Sequence, residues 1–212
     1  MKKLIAASLL TILFFSSFAK NNFEEAMKKN IELVYSANST ESYQIAINNL
    51  SRIAEAEPDR WEPEYYIAFA YTLNSFNESN NNKKDQLVDL AQKHLDKAII
   101  IAPDHVELLT LQGFIYTAKL SIDPASRGPK YSGMAMQKYN QALKADPDNP
   151  RALLMLGQMM YGTAQFMGTG TEDACKTIKS SIEKFDTYKN ENEIAPTWGK
   201  GQAINAYQQC GN

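Results

Sequence analysis

The chain has 212 residues, 44% of them hydrophobic and 22% charged, with 24 acidic and 22 basic side chains and a formal charge of -2. That balance suits a globular domain with a sizeable core. It provides no basic field to attract nucleic acid or an anionic membrane.

At the N-terminus, Lys2 and Lys3 precede an apolar run from Leu4 to Phe15, and Ser17-Phe18-Ala19 places small residues where a signal peptidase reads. Residues 1–19 are predicted to be a secretory signal peptide, cleaved after Ala19, with 20–212 as the mature domain. The run is too short to span a bilayer comfortably, so no membrane span is expected after cleavage. The expected address is the periplasm, with secretion as the alternative.

Apolar residues recurring at three and four predict helices over 22–38, 42–56, 62–77, 84–101, 105–120, 131–145, 149–165, 171–188 and 197–209. Almost nothing supports a strand. Asp104 and Asp148 stand where N-caps belong. Two stretches interrupt the pattern. NSFNESNNNKKD is polar and Asn-rich, and SIDPASRGPKYSG holds two prolines and two glycines, so both read as non-helical insertions. In FMGTGTEDACKT, residues 166–177, Gly168 and Gly170 read as an inter-helix turn and Thr171 as an N-cap. Glu172 and Asp173 complement the dipole there and would repel a phosphate. The last segment puts Trp198, Gly201, Ile204 and Tyr207 at spacings of three, an apolar face for a capping helix, with Pro196 at its start.

Three prolines, Pro58, Pro103 and Pro147, close similar segments. Twelve residues before each stands Ala46, Ala91 or Ala135; eight before, Leu50, Leu95 or Tyr139; five before, Ile53, Ala98 or Ala142. Ten residues after them are Ala68, Gly113 and Gly157; thirteen after, Tyr71, Tyr116 and Met160. Small residues thus recur where two helices approach closely, and large ones one turn away. This pattern resembles the tetratricopeptide repeat (TPR) family, most clearly in KYNQALKADPDNPRALLMLGQMMY, residues 138–161. It departs from that family in the insertions between paired helices.

The resemblance implies an all-α, TPR-type solenoid of about four helix pairs, roughly 22–57, 62–102, 105–146 and 149–188, with a cap over 197–209. It also implies that the first helix of each pair lines a concave groove. Carried over by register, the groove positions are Tyr35, Glu62, Tyr65, Phe69, Glu107, Thr110, Phe114, Arg151, Leu154, Gln158 and Tyr161. Aromatics with a few charges suit an extended peptide or a partner's loop, unless the insertions cover Phe69 and Phe114.

The chemistry is sparse. His94 and His105 belong to no catalytic motif, and GxSxG, HExxH and P-loop patterns are absent from the sequence. No catalytic residue, metal or cofactor is expected. The only cysteines, Cys175 and Cys210, fit one disulfide or two buried thiols. The cap would bring Cys210 toward Cys175. The expected function is a non-catalytic periplasmic adaptor or assembly factor with a protein or peptide partner. One rival is a small-molecule-binding protein or enzyme, with a pocket formed where the inter-helix insertions fold over the groove and Glu62, Glu107 and Arg151 converge. The other is a structural subunit of an envelope complex.

Overall fold

The structure is a computed structural model that describes residues 22–190 and 192–211. The signal segment 1–19 lies outside the described residues. Among the described residues, nine helices follow one another: α1 (22–36), α2 (Thr40–Ala56), α3 (Glu62–Asn77), α4 (Asn81–Ile101), α5 (Val106–Ile122), α6 (Pro124–Ala145), α7 (Pro150–Met167), α8 (Glu172–Thr187) and α9 (Lys200–Gln208). Each helix from α2 onward packs on the next, and α3, α5 and α7 also touch one another in series. This is the stacking of an α-solenoid. No strand occurs among the described residues.

The repeated positions hold the stack together. Ala46, Ala91, Ala135, Leu50, Leu95, Tyr139, Ala98 and Ala142 are all fully buried. The small residues are small for a visible reason. A Cβ on Gly113 would stand 2.3 Å from Tyr139 Cε1, and one on Gly157 would stand 2.7 Å from Ile178 Cγ1 and 3.1 Å from the Ile178 backbone nitrogen. α5 and α6, like α7 and α8, therefore cross at bare backbone, with the partner's large side chain lying on the glycine.

Four expectations need correction. First, SIDPASRGPKYSG is helical. Asp123 caps α6 by accepting from the Ser126 amide at 3.2 Å, and Pro124 occupies the first turn, where no N–H partner is needed. Pro129 inside the helix removes one backbone bond, at a usual cost of about 3 kcal/mol. Tertiary contact offsets it: Arg127 clasps Asp85 of α4 through two bonds of 2.6 and 2.8 Å. Second, much of the Asn-rich insertion is also helix, because Asn80 caps α4 by accepting from the Lys83 amide, so α4 starts at Asn81. Third, the caps of α5 and α7 are His105 and Asn149, one residue after Asp104 and Asp148. Asp104 adopts φ 60° in the turn, and Asp148 pairs with Lys184.

Fourth, the capping helix begins at Lys200, not at 197. It buries Ala203 and Ala206 and leaves Gly201, Ile204 and Tyr207 exposed. Pro196 and Trp198 belong to the non-helical segment before it. The turn after α7 is as expected: Gly168 ends the helix at φ 68°, and the Thr169 amide reaches back to the Ala164 carbonyl at 2.9 Å. Thr171 holds the N-cap position of α8, without a side-chain capping bond.

Replacing Gly157 with alanine tests the crossing. The new methyl meets backbone as well as a side chain, so about 1–3 kcal/mol of stability is expected to be lost in urea unfolding. An unchanged midpoint would mean that α7 and α8 are not so closely apposed.

Candidate functional site

The chain itself covers most of the inherited groove positions. Glu62, Tyr65, Phe69, Glu107, Thr110, Arg151 and Leu154 are buried, and Phe114 is half-buried. The cover is a strap, residues 192–199, that crosses the first helices between α8 and α9. Its anchor is Trp198, 9% exposed. The indole stacks on Phe69 at 5.1 Å and on Phe114 at 6.0 Å between ring centroids. Its Nε1 donates to the Tyr65 hydroxyl at 2.9 Å.

Three further contacts fix the strap. The Tyr66 hydroxyl donates to the Ile194 carbonyl at 2.8 Å. The Thr197 amide donates to the hydroxyl of Tyr35, which lies exposed at the groove's edge. Lys28 pairs with Glu193. Phe69 and Phe114 are thus covered by this strap and, for Phe114, by Phe76 stacked at 5.5 Å, rather than by a loop insertion alone. Burial holds the Tyr65 and Tyr66 phenols well above the usual tyrosine range, so both remain donors or acceptors throughout the physiological range.

Of the three charged groove positions, two converge. Arg151 of α7 grips Glu107 of α5 through Nε at 2.8 Å and Nη2 at 2.7 Å. Asn149 adds a bond of 2.7 Å to the same carboxylate while capping α7. Burial opposes the guanidinium's charge, but Glu107 more than offsets it and raises the Arg151 pKa. Tyr188 lies under that guanidinium and donates to Asp146 at 2.7 Å. Burial and the Asp146 carboxylate push its phenol up to about 12. Glu62 stands apart, beside Arg60. The space left between strap and ion pair is about 10 Å³, room for one water molecule and no substrate.

His94 lies against Glu64 and Tyr71, and Lys97 bonds the same carboxylate at 2.9 Å. His105 caps α5 and stacks on Trp61. Neither histidine faces an opening with a nucleophile.

Gln158 and Tyr161, the last two groove positions, front a cleft of about 460 Å³ between α7, α8 and α9. Gln158, Tyr161 and Gln165 form one wall; Gln202, Asn205 and Gln209 form the other. Gly162 of α7, Ile178 of α8 and Ala206 of α9 complete the lining. The far wall is pinned at two points. Cys175 and Cys210 form a disulfide across 5.8 Å between Cα atoms, and the Tyr161 hydroxyl donates to the Gln209 carbonyl at 3.1 Å.

Register reasoning found one wall of this cleft. It missed the strap and the second wall, because residues from 189 onward lie outside the repeat. One signal was available: α3 is buried continuously from Glu62 to Ala70, and a helix apolar all round needs a cover on every side.

No family model and no curated protein matches the chain. Solved structures do. The structure of the HusA haemophore from Porphyromonas gingivalis is 29% identical, with a TM-score of 0.78, and the match covers 89% of this chain and 92% of that one. TTC0263, a thermophilic TPR protein from Thermus thermophilus, is 17% identical, with a TM-score of 0.58 over 78% of this chain and 75% of that one. The second likeness concerns the fold alone, and the architecture is a TPR-type α-solenoid.

Trp198→Ala removes the strap's anchor and leaves a void between Phe69 and Phe114. A loss of about 3–5 kcal/mol in urea unfolding is expected. A loss below about 1 kcal/mol would mean that the strap does not hold the groove closed.

Proposed function

We propose that the chain is an exported, non-enzymatic haem carrier built on a TPR scaffold. The supporting observation is the likeness to a haemophore that runs nearly end to end in both proteins. The geometry agrees in two respects. The groove in which a TPR protein would hold a peptide is occupied by the chain's own strap. The converging charges of Glu107 and Arg151 satisfy each other in a closed site, which gives an enzyme reading no reactive group to use.

The address follows from the N-terminal sequence: a chain exported and cleaved after Ala19 enters an oxidising compartment, where the Cys175–Cys210 bridge persists. No described helix is long and apolar enough to cross a membrane. The adaptor role expected from the sequence is the second reading. The strap supports it, because residues 192–199 are themselves a non-helical, tryptophan-bearing segment fitted to the groove. A partner's segment would have to displace them.

The test is a titration. Chain recovered from a periplasmic extract, with Lys20 at its N-terminus, is mixed with hemin, and the Soret band is followed. Saturation near one hemin per chain, or a small whole number, is expected. An unchanged spectrum would overturn the haem reading and leave the adaptor reading standing.

A further inference from the structure

The groove beneath the strap already receives the face of a flat ring, and the chain supplies that ring itself. Phe69 and Phe114 tilt by 44° to each other. The Trp198 indole takes the plane between them, at 22° to the first and 25° to the second. Tyr65 continues the surface on one side, 9° from the plane of Phe69. Phe76 continues it on the other, 22° from Phe114, and is itself 41% exposed. All four of these rings stand on α3 and α5, so packed helices hold them in place. They form a shallow apolar trough, and a conjugated, planar molecule stacks well on such ring faces.

Three of the strap's polar bonds end on phenols of this groove. Tyr35 accepts from the Thr197 amide, Tyr65 accepts from the indole, and Tyr66 donates to the Ile194 carbonyl. Lifting the strap frees all three hydroxyls, each of which can donate to a carboxylate. From Tyr35 on α1, across α3, to Phe114 on α5 is two helix spacings, or about 16–20 Å. An indole fills only part of that span. With the strap down, the space beside it is about 10 Å³, so a ligand enters in place of the strap and not next to it. The strap can leave without disturbing the stack. It is a non-helical run between two helices, it turns at Gly199 with φ 115°, and the Cys175–Cys210 bridge keeps its far end tethered for return.

We infer that the groove beneath the strap is the cargo site, and that the Trp198 indole is a placeholder displaced by a flat, conjugated ring bearing carboxylates. The inference rests on the haem-carrier reading and adds its location, its contacts and its gate. The face of the cargo replaces the indole on Phe69 and Phe114, and its carboxylates take up the hydroxyls that the strap releases. The strap is then an intramolecular competitor. The apparent affinity is the intrinsic one reduced by the fraction of chains whose strap is lifted. Weakening the strap therefore tightens binding, which is the opposite of what happens when a residue that touches the cargo is removed.

The experiment uses the mature, oxidised chain. Hemin affinity is measured for the wild type, for Trp198→Phe, which loses the bond to Tyr65, and for Trp198→Ala, which loses the ring. Thermal unfolding checks that each variant folds. At unchanged stoichiometry, binding at least about threefold tighter is expected for Trp198→Phe and at least about tenfold tighter for Trp198→Ala. In parallel, the wild type is saturated with gallium protoporphyrin, a diamagnetic analogue, and followed by NMR. Loss of the Overhauser contacts from the Trp198 indole to Phe69 and Phe114 is expected. If Trp198→Ala does not fold, Trp198→Phe and the NMR result decide. Contacts that persist at saturation, or folded variants that bind no tighter than the wild type, place the cargo elsewhere and overturn the placeholder while the haem reading stands. A wild type that binds neither hemin nor the gallium analogue would overturn the haem reading and this inference with it.

Discussion

Trp198 lies across the concave face of the stack, and much of the rest depends on that contact. A solenoid's first helices have one face against their partners and one toward the groove. Here the groove face of α3 and α5 carries Tyr65, Phe69 and Phe114, which in open water would form a large apolar patch. Stacking the indole on two of these rings and bonding it to the third removes that patch from water. It also explains why Tyr65 and Tyr66 can be wholly buried: their hydroxyls find partners in the strap, and a buried hydroxyl without one would cost about 1–3 kcal/mol.

The strap holds because both its ends are fixed. Before it, Tyr188 bonds Asp146 and lies beneath the Arg151–Glu107 pair, tying the end of α8 to the α6–α7 turn. After it, Gly199 turns at φ 115°, where a Cβ would meet Phe185 Cζ at 2.6 Å, and leads into α9. That helix has only nine residues and two buried alanines, too little to remain docked by itself. The Cys175–Cys210 bridge closes the C-terminal arm onto α8. The same bridge fixes the far wall of the polar cleft. One device therefore serves two ends: it keeps the groove closed and leaves a defined opening beside it.

Periodicity and the proline-aligned register made the solenoid legible, because each small residue in that register marks a helix crossing. The turn at Gly168 was legible for a similar reason: a glycine at a helix end has a specific conformational use. SIDPASRGPKYSG was misread because propensity counts Gly and Pro locally, whereas the Asp123 cap and the Arg127–Asp85 clasp act across elements. Asp104 and Asp148 were misassigned by one residue, since His and Asn accept at an N-cap as Asp does. The groove list was right about direction and incomplete about access. Nothing in the repeat reports what a later, non-repeating segment will cover, and the face of the final helix inverted when Trp198 left it for the groove. Cys175 and Cys210 could be paired in sequence only as a possibility, because their spacing alone fixes no geometry.

The central claim is that the strap occupies the groove in the resting chain. NMR of the oxidised mature protein in solution, without ligand, tests it most directly, through nuclear Overhauser contacts from the Trp198 indole. Cross-peaks to the rings of Phe69 and Phe114, with the indole N–H shifted by its bond to Tyr65, are the expected result. An indole with no contact to either ring, and with the shifts and exchange of a solvated tryptophan, would contradict the account.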